Sequence, residues 1–137
     1  MLDHISITVT DFERSKQFYR AALGAIGLQL LAEFPAAVTG HTDVAGFGAT
    51  KSEFWINRGT ASQLGVHIAF AVTSREAVDQ FYAAALEAGG TDNGAPGIRA
   101  HYHPDYYGAF VFDPDGHNIE AVCRQPTSAR KQTADEK

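Results

Sequence analysis

The chain has 137 residues, 45% of them apolar and 20% charged, which suits one compact globular domain and excludes a disordered or fibrous one. A net charge of −5 argues against nucleic acid as a partner, and no apolar run approaches the roughly 18 residues a membrane span needs. The single cysteine, Cys123, cannot close an internal disulfide, so a reducing cytoplasm is the expected home.

The first segment, "MLDHISITV", lacks the basic start of a signal peptide and opens directly into alternation. Ile5, Ile7 and Val9 share one face of a predicted strand, and His4, Ser6 and Thr8 share the other. Thr10 and Glu13 then form the Thr-x-x-Glu pattern that opens a helix. Phe12, Ser15, Phe18, Tyr19, Ala22 and Leu23 make its apolar stripe, and Gly24 and Gly27 end it. Short strands are predicted over Leu28–Phe34, weakly within Ala36–Gly48, and over Glu53–Asn57.

After a break at "NRGTASQLG" the same text returns. Between His4–Gly27 and His67–Gly90, at an offset of 63, 13 of 24 residues are identical without a gap. His67 repeats His4, Thr73 and Glu76 repeat the helix start, and Val78, Phe81, Tyr82, Ala85 and Leu86 repeat the stripe. Further strands are predicted at Ile98–His103, Tyr107–Phe112 and Asn118–Cys123, the last two joined by the turn "DPDGHN". From Gln125 the chain is polar and aperiodic, which predicts a frayed tail over 125–137. Residues 1–124 thus form one α+β domain of two βαβββ modules, 1–58 and 65–124. Their eight strands would make a cup-shaped mixed sheet with helices on the convex side.

The candidate chemistry lies on the face opposite the helices. If the modules meet about a pseudo-twofold, His4 and His67 face each other across the cup. Parity puts Glu120 on that same side and Cys123 on the other. A carboxylate inside an apolar strand wants a metal or a cation, because an unpaired buried charge is costly. Two imidazoles and one carboxylate form a facial triad suited to Fe, Mn, Ni or Zn, with positions left open for a substrate. At the offset of 63, Asn57 matches Glu120, with Trp55 on the same face as a further pocket residue. Glu53 shares their parity but lies about 13 Å from Asn57. The stretch "RAHYHPDYYGAFVF" offers His101, His103, Tyr106 and Tyr107 as candidate catalytic groups for proton transfer or orientation. His41 and His117 fall in turn-like segments and are expected in solvent. No phosphate-cradling glycine loop and no nucleophile elbow is present.

With these residues in place, the chain resembles the vicinal oxygen chelate superfamily, the glyoxalase / bleomycin-resistance / extradiol-dioxygenase group. "LDHISITVTDFERSKQFYRAALGAIGL" looks like its opening module, "GVHIAFAV" like its fifth strand and "DPDGHNIEAV" like its closing hairpin. The resemblance covers residues 1–124. It implies that His4, His67 and Glu120 match three of the family's metal-ligand positions. The fourth, a glutamate in glyoxalase I, falls at or near Asn57, and asparagine cannot serve as the base. Two readings follow from the resemblance. One is a metal-dependent lyase or dioxygenase acting on a small molecule with neighbouring oxygens. The other is a metal-free binding or resistance protein that stacks its ligand on aromatic residues. The modules could pair within one chain or be exchanged in a homodimer.

Overall fold

The computed structural model describes residues 1–61 and 65–127; part of the joining segment and the tail from 128 onward lie outside the described residues. The first module runs β1 (Ile5–Val9), α1 (Phe12–Gly24), β2 (Gln29–Phe34), a one-turn helix α2 (Ala36–Thr39), β3 (Val44–Gly48) and β4 (Phe54–Arg58). The second repeats it as β5 (His67–Ala71), α3 (Arg75–Glu87), β6 (Thr91–Ile98), β7 (Tyr107–Phe112) and β8 (Asn118–Cys123). Each module is a four-stranded mixed sheet, ordered β1-β4-β3-β2 and β5-β8-β7-β6. The expected α+β architecture of paired βαβββ units is what the chain adopts. β1 and β5 pair in parallel with the last strand of their own module and leave their other edges open within the chain.

The periodicities explain the core. Phe12, Ser15, Phe18, Tyr19, Ala22 and Leu23 are all buried, as the stripe on α1 requires. α3 buries Val78, Phe81 and Ala85. These side chains join Ile7, Val9, Phe47, Phe54 and Ile56 from one sheet, and Ala109, Val111, Ile119, Ala121 and Cys123 from the other, in a single cluster. Phe54 meets Phe70 edge-on at 5.5 Å across the two modules.

Two local expectations, the helix caps and the sixth strand, need correction. The helices are capped one residue later than the Thr-x-x-Glu pattern suggests. Asp11 accepts from the Arg14 amide and Ser74 from the Ala77 amide. Thr10 is instead spent on the other module, where Asp115 accepts its amide and its hydroxyl. The strand expected at Ile98–His103 ends where it was predicted to begin: β6 occupies Thr91–Ile98, and Arg99–Tyr106 is a turn closed by Arg99 N–H to the Tyr106 carbonyl at 2.7 Å. Gly94, Pro96 and Gly97 hide this strand from propensity. The short strand expected within Ala36–Gly48 is present as Val44–Gly48, preceded by a helical turn that starts after Pro35 and that Gly40 stops at φ +83°.

Candidate functional site

The sheet faces turned away from α1 and α3 carry the candidate residues, and the two modules furnish them differently. In the second module His67 stands opposite Asn118 and Ala69 opposite Glu120. His67 Nε2 donates to Glu120 Oε1 at 2.9 Å, and the Tyr106 hydroxyl donates to Glu120 Oε2. Glu120 is only 1% exposed, whereas the His67 side chain is 48% exposed. A buried carboxylate is tolerable when both oxygens accept hydrogen bonds, and these two donors meet that need. Burial, followed by the bond to Glu120, holds the Tyr106 phenol up to about 12, so it keeps its proton. The Arg124 guanidinium lies 4.9 Å from the Tyr106 ring centre. Phe110, opposite Glu120 on β7, places its ring 6.1 Å from that of His67.

In the first module the corresponding group is absent. Trp55 stands opposite Ser6, the residue that repeats as Ala69, and so takes the place Glu120 holds in the second module. The offset of 63 is lost in the last strand of each module, where the match moves by two residues. Asn57, paired with Glu120 by that offset, sits opposite Thr8 and donates to its hydroxyl at 3.1 Å. Glu53 precedes β4 and is exposed, so the slip brings a tryptophan, not this carboxylate, to the position. Trp55 stacks on Phe34 with ring centres 6.4 Å apart and lies over Gly46, where a Cβ would come within 2.8 Å of the indole.

His4 and His67 both line one cleft of about 330 Å³, together with Asp3, Glu53, Phe54 and Phe70. The His4 ring is bonded through Nδ1 to Asp3 at 2.7 Å, and its side chain is 56% exposed. Within the chain the structure therefore joins His67 to Glu120 but does not bring His4 into ligating distance of them. His101 and His103 are exposed on the Arg99–Tyr106 turn. His101 rests against Tyr102, and His103 Nδ1 accepts from the Asp105 amide at 3.0 Å. Tyr107 points the other way from Tyr106, donating to Asp79 of α3 at 2.6 Å. That bond, with burial second, raises its phenol to about 12.

Among the described residues, the one trio of ligating side chains within 4.8 Å of one another is Asp113, Asp115 and His117, which could hold a metal by proximity alone. The lone pairs of Asp113 are already engaged. Asp113 accepts from the amides of Asp115 and His117, from His117 Nδ1 at 2.7 Å and from the Tyr19 hydroxyl at 2.5 Å. Asp115 accepts from Thr10. His117, expected in solvent, is 2% exposed, because this turn is tucked beneath α1. The cluster joins the modules.

A family model described as the Glyoxalase/Bleomycin resistance protein/Dioxygenase superfamily matches residues 1–121. The chain belongs to this superfamily. A glyoxalase/bleomycin resistance protein from Albidiferax ferrireducens is 30% identical, with a TM-score of 0.73 over 90% of this chain and 98% of its own. Two more distant structures share the superfamily fold. One is a variant of the fosfomycin resistance protein FosX from Listeria monocytogenes, complexed with Mn(II) and a dihydroxypropylphosphonic acid; it is 18% identical, with a TM-score of 0.66 over 96% of this chain and 97% of its own. The other is a glyoxalase I variant from Zea mays, 20% identical, with a TM-score of 0.67 over 93% of this chain and 46% of its own. Comparison with curated proteins finds no match. Phe110 of β7 and Arg99, just past β6, stand on the open sheet face without having been candidates in the sequence; for Arg99 the reason is that Gly94, Pro96 and Gly97 hide β6.

Proposed function

We propose that the protein is a metal-dependent enzyme of the glyoxalase/dioxygenase kind, acting on a small molecule with two neighbouring oxygens. The observation that carries this reading is the buried Glu120 carboxylate held between His67 Nε2 and the Tyr106 hydroxyl on an open sheet face. The donor set fits a divalent ion. Nε2 and Oε1 lie 2.9 Å apart, close to the spacing of two adjacent ligands on bonds of about 2.0–2.2 Å. Neutral imidazole and carboxylate suit Fe, Mn, Ni or Zn alike. His67 and Glu120 would hold the ion, with His4 as third ligand, and the bound ion would supply Lewis acidity toward the paired oxygens.

The chain's own residues do the remaining work. For His67 to ligate through Nε2, the proton that Nε2 holds toward Glu120 must leave or move to Nδ1. Tyr106 holds a proton at its hydroxyl oxygen beside Glu120. It orients the carboxylate in the free protein and can donate to a substrate oxygen on which charge develops. His101 and His103, on the turn leading to Tyr106, are the groups for exchanging that proton with solvent. The small side chains of Ala69 and Ala71 leave the β5 face open for a ligand. We place the protein in the cytoplasm as a homodimer. The free buried thiol of Cys123 and the open edges of β1 and β5 support this.

The test is elemental analysis of protein purified without chelators, followed by a screen of catechols and hemithioacetals on metal-loaded protein. Stoichiometric metal in the wild type and its loss in Glu120→Gln are expected; unchanged metal content in the variant would overturn the reading. One observation favours a second reading, a metal-free small-molecule binding protein of the bleomycin-resistance kind. Trp55 and Phe34 stack on the first module's face in the place of a fourth ligand. Tight binding of a planar ligand by protein that takes up none of the four metals would decide for it.

A further inference from the structure

Arg99 occupies a place that its strand has been cleared to provide. β6 carries Gly94 and Gly97, and a Cβ at either would come within 3.0 Å of the Arg99 guanidinium. At Gly94 the same Cβ would also meet the Phe110 ring at 3.1 Å. The Arg99 side chain therefore folds back across two bare positions, and its guanidinium carbon lies 5.4 Å from the centre of the Phe110 ring. That ring also borders His67, and Phe110 stands opposite Glu120 in the β7–β8 ladder. Arg99, Phe110, His67 and Glu120 thus follow one another across the same sheet face.

Among the described residues the charge of Arg99 has no counterpart. One guanidinium nitrogen donates to the Ala95 carbonyl at 2.8 Å, and among the described residues no carboxylate lies within 4.0 Å of it. Arg58 and Arg75, by contrast, each have an aspartate partner, Asp43 and Asp105. A half-buried guanidinium keeps N–H donors free in a planar fork, which matches a carboxylate held by two parallel bonds. Its flat face against Phe110 fixes where that fork points.

We infer that Arg99 is the substrate-specificity residue of this site: it takes the carboxylate of a small planar substrate whose neighbouring oxygens lie toward His67 and Glu120. The inference rests on the functional reading of that pair, so its test is run on chelator-treated protein, where metal uptake does not enter. Catechol and dihydroxybenzoate carry the same adjacent hydroxyls and differ by one carboxylate. Calorimetric titration should show the wild type binding dihydroxybenzoate about tenfold more tightly than catechol, the effect of one charged hydrogen-bonded contact. Raising the ionic strength should shrink that ratio. Arg99→Gln should bring the ratio to about one while leaving catechol affinity and Glu120-dependent metal content unchanged, and Arg99→Lys should keep part of the preference. A wild type that does not distinguish the two compounds, or that binds neither, overturns the assignment, as does a preference that survives Arg99→Gln. Failure of Glu120→Gln to change metal content would instead sink the metal reading and leave the Arg99 ratio standing.

Discussion

Two adjacent tyrosines show how one residue step divides tasks on a strand. Tyr106 turns to the open face and donates to Glu120, while Tyr107 turns to the helix side and donates to Asp79. Tyr107 is thereby taken from the catalytic candidates into the packing of α3, with the Arg75 guanidinium 5.2 Å from its ring. Its phenol titrates near 12 rather than the ordinary 10. The folded state thus binds this proton more tightly than the unfolded chain does. The stabilisation is fully present below about pH 10 and is lost as pH rises through about 12. Tyr107→Phe should therefore lower the urea midpoint by a constant amount at neutral pH, and the gap from wild type should close between pH 10 and 12. A gap that stays constant across that range would show that the Asp79 bond is not its source. At this scale Glu120 was readable because a carboxylate among Ile119, Ala121 and Val122 is chemically out of place. Tyr106 and Tyr107 could not be separated, since their opposite directions depend on where β7 begins.

Elements explain where the repeat stops being a guide. β1, β5 and the two helices keep an offset of 63 because each strand–helix unit has the same length. Beyond the helices the modules diverge: α2 intervenes in the first, and a glycine-broken β6 enters the second. The slip that puts Trp55 in place of Asn57 is the sum of those differences, which the sequence could not locate without the strand pairings. The β3–β4 hairpin shows how tightly one connection is fixed. Gly48 ends β3, and a Cβ there would sit 1.7 Å from the Lys51 carbonyl oxygen, while the Glu53 amide bonds back to the Phe47 carbonyl. Backbone cannot yield as a flexible side chain can, so Gly48→Ala should cost about 2–4 kcal/mol in urea unfolding. Gly24→Ala, with open space around it, should cost far less. Equal effects would mean that the hairpin opens without strain.

The whole molecule is held by contacts the pattern of strands and helices does not reveal. Tyr19 of α1 donates to Asp113, and Thr10 to Asp115, so the turn "DPDGHN" acts as the second module's grip on the first as well as a hairpin. Tyr19→Phe removes a buried bond to a carboxylate and should cost about 1.5–3 kcal/mol, read as a shift in the urea midpoint. A unit built this way presents His4 on one module and the His67–Glu120 pair on the other, with the His4 ring turned to Asp3 and Asp3 also held by Lys51 at 2.5 Å. If His4 completes the metal set of a second copy, two defective chains should repair one another. Co-expressed His4→Ala and Glu120→Gln chains, separated by different tags, would form a mixed dimer. One of its sites would combine the intact His4 of the Glu120→Gln chain with the intact pair of the other. Exchange between chains predicts up to half the wild-type metal content in that dimer and none in either variant alone. If His4 instead crosses the cleft within its own chain, every site in the mixed dimer carries one lesion, and its metal content falls to that of the variants.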